Sequence, residues 1–320
     1  MQIFGNTVSL EHRGMLESYL NGFDYRVSGL TFTSLFMWRG INLFNWEVLG
    51  DYLCISAVNR LEEDDAGRPF MFPPLTRTGS YDPAKLAWTV NEARRRFEEK
   101  GRRFVMMLTP FHMTDALAEA LPGKLRFEAD RPNFDYVYYA KELAELKGRD
   151  YHAKKNHLNY FKSHYDYEYM PMTSGMEGDA MEFIREFNER KNPGDPHERQ
   201  LLMMEERAMR DVFHNLEEVG YISGAILIGG KIEALSIGGR LGKRTVSVHI
   251  EKANTEYRGL YQAINNEFCL NAAKDVKYIN REEDMGIPGL RKAKLSYKPC
   301  MLVEKYTVTF REQDCLRRFM

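Results

Sequence analysis

The chain reads as an α/β (α+β) protein made of two tandem units, each a mixed central sheet flanked by helices, and three observations lead there. Amphipathic stretches with an apolar residue every third or fourth position alternate with short β-branched and aromatic runs. The order of these elements repeats, each half giving helix, helix, three strands, helix, strand, helix, strand. A length of 320 residues with 43% apolar content suffices for two domains of ordinary size. The repeat is one of element order rather than residue identity. It sets a boundary near Lys147-Gly148, so 1–147 and 148–320 are the expected domains.

In the first half, SLEHRGMLESYL and TFTSLFMWRG read as helices, and LFNWEVLGDYLCISA as a strand pair turning at Gly50-Asp51. PFMFPPL supplies a third strand. The long helix DPAKLAWTVNEARRRFEEKG has Asp82 as its cap and Pro83 in its first position. Leu86, Val90, Ala93 and Phe97 form its apolar face, and Gly101 is its stop. FVMMLTP is a strand, TDALAEALPG a helix and FDYVYYA the closing strand. In the second half the strand YEYM precedes two helices, AMEFIREFNERK and ERQLLMMEERAMRDVFHNLEEVG, separated by the breaker NPGDP. Gly229-Gly230 joins two apolar runs as a tight hairpin, and RTVSVHIEKA makes a third strand. The helix RGLYQAINNEFCLNAA repeats Leu260, Ile264 and Phe268 at four-residue spacing. KYIN, GLRKAKLSY and MLVEKYTVTF then give strand, helix and strand.

Composition removes several function classes. Lys and Arg (45) nearly balance Asp and Glu (46), so nucleic acid or an anionic surface must be met by a local patch. Cys54, Cys269, Cys300 and Cys315 lack zinc or redox spacing, and no metal site is expected. The N-terminal residues lack the pattern of a secretory signal, and no apolar run approaches the ~20 residues of a membrane span. A cytoplasmic location is the expectation. Motifs for serine hydrolases, P-loop NTPases, zinc proteases and EF-hands are absent.

The richest segment is YINREEDMGIPGLRKAKLSYKP, Tyr278 to Pro299. If the strand KYIN continues, Glu282 and Asp284 project together and Glu283 faces away. A carboxylate there can take the proton of an attacking amine. Arg281 precedes the acids, and Arg291, Lys294 and Lys298 fall on one helical face while Leu290, Ala293 and Tyr297 fall on another. Such bases suit phosphate or carboxylate; a solvated helix start explains them equally. In HAKKNHLNYFKSH, the cations Lys154, Lys155, His157 and Lys162 can grip an RNA backbone or a lipid headgroup, or form the wet side of a helix. Glu233 suits an outward strand position as well as catalysis.

Three stretches together, YHAKKNHLNYF, YRGLYQAIN and YINREEDMGIPGLRKAKLSYKP, resemble a bacterial family of soluble proteins classed with the C-terminal domain of phosphatidylglycerol lysyltransferase. The resemblance is strongest from about Tyr136 to Tyr306. It implies two tandem acetyltransferase-like (GNAT) domains and relatives that take an aminoacyl group from charged tRNA. It also implies a groove beside the strand KYIN, lined by the acids, and a tyrosine, here Tyr297, protonating the leaving group. GNAT enzymes hold coenzyme A pyrophosphate on a Q/R-x-x-G-x-G/A turn. The matching stretch, Glu256-Tyr257-Arg258-Gly259-Leu260-Tyr261, keeps only the central glycine. Arg258, Gly259 and Tyr261 are the candidates for donor phosphate. The first-half junction GSYDPAKL has no glycine run, so that domain is expected to be a scaffold.

Together these readings predict an acyl-transfer enzyme with its site in the second half, using aminoacyl-tRNA as donor and a small-molecule or lipid acceptor carrying an amine or hydroxyl. Acyl-CoA as the donor, and a non-catalytic module for anionic lipid or RNA with peripheral membrane contact, are the alternatives.

Overall fold

Strand pairing sorts the chain into two mixed sheets, each with seven strands among the described residues. The structure is a computed structural model and describes residues 2–58, 68–191 and 195–311, so Cys315 lies outside it. In chain order, the elements up to the first change of sheet are β1 (Asn6–Thr7), α1 (Arg13–Leu20), α2 (Phe32–Trp38), β2 (Asn45–Leu49), β3 (Tyr52–Ala57), β4 (Phe70–Met71), α3 (Pro83–Glu99), β5 (Met106–Pro110), α4 (Phe111–Ala120) and β6 (Leu125–Ala129). Next come β7 (Asp135–Tyr139), α5 (Ala140–Glu145), α6 (His152–His164), β8 (Glu168–Met170), α7 (Glu177–Lys191), α8 (Pro196–His214) and α9 (Leu216–Val219). β9 (Ile222–Ile228), β10 (Lys231–Leu241), β11 (Thr245–Ala253), α10 (Leu260–Glu267), β12 (Tyr278–Asn280), α11 (Pro288–Leu295), β13 (Met301–Val303) and β14 (Lys305–Phe310) complete the order.

The first sheet runs β1-β2-β3-β4-β5-β14-β6 and the second β13-β7-β12-β11-β10-β9-β8. Two compact units follow: residues 1–135 with the segment from Val303, and residues 136–302. The division therefore differs from one cut near Lys147-Gly148. FDYVYYA does not close the first sheet; its strand β7 pairs antiparallel with β12, Val137 opposite Asn280. MLVEKYTVTF breaks into β13 and β14, and β14 enters the first sheet between β5 and β6. Burial supplies the reason. Tyr136 and Tyr138 are fully buried in the second core, whereas Val308 and Phe310 are buried among Phe97, Phe104 and Leu125 of the first. β6 is an element the periodicity did not show, since only Leu125 and Phe127 of its core residues are large and apolar.

Local chemistry accounts for the predicted helices. Asp82 accepts the Lys85 N–H at 2.9 Å, Pro83 opens α3, and Leu86, Thr89, Val90, Ala93 and Phe97 are its buried stripe. In the second unit Gly229 and Gly230, with φ of 59° and 81°, make the β9–β10 hairpin turn.

In the first unit, Asp135 at the start of β7 and Lys305 at the start of β14 form a buried ion pair, Nζ to Oδ1 2.6 Å, exposed by 0% and 1%. The Ser28 N–H and hydroxyl donate to the same carboxylate at 2.8 and 3.0 Å. A buried pair contributes little net over apolar packing, but losing one partner strands the other charge. Asp135→Asn is expected to lower unfolding free energy by about 3–5 kcal/mol, seen as an earlier urea midpoint with an unchanged slope.

Candidate active site

β11 and β12 are the parallel pair of the second sheet, and their ladder is short. Thr245, Val246 and Ser247 pair with Tyr278, Ile279 and Asn280, after which β11 runs on to Ala253 paired with β10 but no longer with β12. His249 is an extra residue on β11, since Val248 pairs with Gly238 and Ile250 with Ile237, which bends the strand. Side chains bridge the two strands where their backbones part. The Glu282 carboxylate reaches His249 Nδ1 at 2.7 Å and accepts from Ser247 Oγ at 3.3 Å, both on Oε1. One step along, Arg281 Nη2 donates to Glu251 Oε1 at 2.8 Å, and Asn265 of α10 donates to Glu251 Oε2 at 3.0 Å.

Glu282 is positioned by an uncommon backbone. Its φ is 57°, left-handed for a residue with a side chain, and is stabilised by bonds on both sides. The Asn280 side chain accepts its N–H at 2.7 Å, and its carbonyl accepts the Tyr136 N–H at 3.1 Å. The strand therefore does not continue through Glu282, and Glu282 and Asp284 do not project together. Glu282 Oε1 is taken by His249 and Ser247, whereas Oε2 has no hydrogen-bond partner among the described residues, and the side chain is 18% exposed.

Asp284 is the opposite case. Its side chain is fully buried, and Arg291 grips it with two bonds of 2.8 and 2.9 Å. Tyr136 donates to Oδ2 at 2.5 Å and the Gly286 N–H to Oδ1 at 2.9 Å. The Arg291 guanidinium holds this carboxyl well below the usual carboxylate range, with burial opposing it and the Tyr136 hydroxyl assisting. With both oxygens saturated, Asp284 is a structural anchor rather than a base. The two acids expected to project together divide, and of these Glu282 is the one with an oxygen that has no hydrogen-bond partner among the described residues.

The basic face also disperses. Lys294 is buried, its ammonium donating to the carbonyls of Arg281 (2.6 Å) and Glu283. α11 ends at Leu295, so Lys298 lies beyond it with φ 54° and pairs with exposed Asp150 at 3.7 Å. Tyr297 is 5% exposed in the core, and burial pushes its phenol up to about 12. Arg281 and Lys154 lie against its ring at 4.8 and 4.4 Å from the centroid.

The donor turn is occupied by internal packing. Gly259, φ 91°, faces α6 so closely that a Cβ would sit 2.2 Å from the His157 carbonyl oxygen. Arg258 stacks on Tyr160 at 4.3 Å, and Tyr261 packs partly buried against the second core. The remaining cations of α6 also find internal partners: Lys155 donates to the Glu145 carbonyl at 3.2 Å, and Lys162 to Glu267 at 3.1 Å; His157 is exposed. Glu233 clamps the Asn254 side chain and N–H. A cavity of about 470 Å³ lies against α7 and α8, lined by residues such as Glu177, Arg207 and His214, away from Arg258, Tyr261 and Glu282.

Sequence reasoning missed His249, Ser247 and Glu251. Their signal was present in RTVSVHIEKA, where polar residues at every second position face one side of an otherwise apolar strand.

This architecture is that of tandem GNAT proteins. A tandem GNAT protein from the clavulanic acid biosynthesis pathway matches with TM-score 0.52 and 9% identity over 94% of this chain and 97% of that one. The chain belongs to the phosphatidylglycerol lysyltransferase C-terminal family, whose model matches residues 21–309. A crystal structure of a conserved protein of unknown function from Bacteroides thetaiotaomicron is similar over 97% of this chain and all of that one, with 32% identity and TM-score 0.86. L-PGS from Bacillus licheniformis shares the fold at 14% identity and TM-score 0.64, over 95% of this chain and 93% of that one. An uncharacterized protein of Mycoplasmoides gallisepticum is 25% identical over 178 residues. The chain spans about half the length of that curated relative, 55%, with 54% of this chain aligned. No helix among the described residues is long and apolar enough to cross a membrane.

Asp284 has a depressed folded-state pKa, so its stabilisation is present above the unfolded carboxyl value of ~3.9 and is lost as pH falls below it toward the folded value. Asp284→Asn is expected to cost about 2 kcal/mol at pH 7 and to flatten the fall in stability below about pH 4, measured by urea unfolding across pH.

Proposed function

We propose that this protein is an acyl-transfer enzyme that moves an aminoacyl group from aminoacyl-tRNA to an amine or hydroxyl acceptor, with Glu282 as general base. Its family and its acyltransferase-type fold support the reaction class. The observation that carries the assignment is Glu282 itself. One carboxylate oxygen is fixed by His249 and Ser247 while the other has no partner among the described residues, where β11 and β12 part. A base needs this combination of a fixed orientation and an available lone pair.

In this reading Glu282 Oε2 takes the proton of the acceptor amine or hydroxyl as it attacks the aminoacyl ester carbonyl. The new bond forms from the acceptor's nitrogen or oxygen to that carbon. The ester C–O bond breaks, and the departing ribose hydroxyl receives a proton. Burial raises the Tyr297 phenol and so opposes proton donation by it near neutral pH; in this reading Glu282 returns the proton it took from the acceptor. Arg281, already bridging to Glu251, supplies positive charge beside the developing oxyanion. The internal packing of Gly259 and Arg258 favours aminoacyl-tRNA over coenzyme A as the donor, because the turn that would hold pyrophosphate is filled from within.

Glu282→Gln is expected to lower kcat about 10²-fold or more with little change in KM or melting temperature, measured with labelled aminoacyl-tRNA and acceptor-containing extract. Transfer at the wild-type rate removes Glu282 from the mechanism. Saturable calorimetric binding of acetyl-CoA with transfer of its acyl group replaces the donor assignment.

A further inference from the structure

Away from the site, the second unit gathers cations around two stacked tyrosines. Tyr139 of β7 and Tyr278 of β12 are directly opposed across the antiparallel ladder, their rings 5.6 Å apart and inclined by 28°. Tyr139 is 38% exposed. Lys277 lies over both rings, at 5.9 and 5.1 Å from their centroids. The turn between β10 and β11 joins this place through the Arg244 carbonyl, which accepts the N–H groups of Lys277 and Tyr278 at 2.9 and 3.0 Å. The Ala140 N–H in turn donates to the Lys277 carbonyl. Exposed Lys141, Lys243, Arg244, Lys274 and Lys277 therefore meet at one end of the sheet. Of the neighbouring acids, Asp275 is paired with Arg240, and Glu142 accepts the Tyr151 hydroxyl.

This concentration stands out against a formal chain charge of −1. Cations alone attract any polyanion. A stacked aromatic pair among them, with Tyr139 exposed and Tyr278 half-buried, selects one with planar rings to stack, since base–aromatic stacking is the sequence-tolerant part of single-strand recognition. We propose that this face binds single-stranded RNA, with Tyr139 and Tyr278 as the stacking platform and Lys243, Arg244, Lys274 and Lys277 as phosphate contacts. The choice of RNA rests on the donor reading above; the polyanion site itself does not. The strand β12 links the two regions, Tyr278 opening it and Glu282 lying two residues past its end. A bound 3′ end would thus be presented toward the parted strands. Of the α6 cations, Lys155 and Lys162 have internal partners and His157 is exposed.

The test is fluorescence anisotropy with a labelled single-stranded RNA of twelve nucleotides, over a salt series, with phosphatidylglycerol-containing vesicles in parallel. Wild-type protein should bind the RNA with a steep salt dependence. Arg244→Glu with Lys277→Glu should weaken binding at least tenfold and make the slope of log affinity against log salt shallower by about 1.4, roughly 0.7 for each lost phosphate contact on a single strand. Tyr139→Ala should weaken binding about fivefold or more, and Tyr139→Phe, which keeps the ring, should not. Lys100→Glu with Lys124→Glu, an equal charge change in the first unit, should stay within twofold, and melting curves confirm that each variant is folded. No RNA binding by the wild type, or RNA binding indifferent to the patch variants, overturns the proposal. Vesicle binding that the patch variants abolish while RNA binding persists overturns it in favour of an anionic membrane surface. RNA binding that maps to the patch in a protein that transfers no aminoacyl group upholds the patch and rejects the donor reading.

Discussion

The buried carboxylate of Asp284 is the constraint on which the candidate site depends. It draws together the Tyr136 hydroxyl from β7, the Gly286 N–H from the turn, and the Arg291 guanidinium from α11. A charge removed from water is tolerated only when its lone pairs are filled, and here each has a donor. The turn that fills them departs from the strand at Glu282 and passes through a second left-handed residue, Met285, with φ 51°. Lys294 completes the cage by donating to main-chain carbonyls of the same turn. The anchor thus fixes the backbone two residues before it, and that backbone directs the Glu282 side chain at His249 rather than at the basic helix.

Much of the fold was legible because its local signals agree. The cap, proline and stripe of α3, the glycine pair of the β9–β10 hairpin, and the alternation of β11 each correspond to an element found at that place. What periodicity does not carry is partner choice. FDYVYYA and KYTVTF are apolar on the faces they bury, yet which core receives them depends on pairings more than a hundred residues apart. The short β6, with few large apolar residues, gives almost no signal by itself and forms because β14 lies beside it.

Of the candidate site, the sequence made legible where charge collects and not how its side chains pair. A run of acids after a strand shows where charge collects, but Glu282 and Asp284 look alike until the backbone turns left-handed at Glu282. Left-handed backbone is ordinarily announced by glycine or asparagine, and here a glutamate adopts it because Asn280 and Tyr136 hold its N–H and carbonyl. Glu251 and His249 were passed over because charge within an apolar strand reads as an outward position. Their partners, Arg281 and Glu282, come from the next parallel strand's end, which no local pattern joins to them.

The placement of β14 has a consequence for the order in which the chain can mature on a ribosome. The first sheet holds this strand between β5 and β6, so its ladder has a gap in its interior until residues 305–310 have been made. The second unit, continuous from 136 to 302, has all its strands in hand sooner. Synthesis from the N-terminus usually lets the first domain finish first. Here the sequence of completion is reversed: the earlier unit waits for the later one, exposing unpaired edges of β5 and β6 until residues 305–310 have emerged.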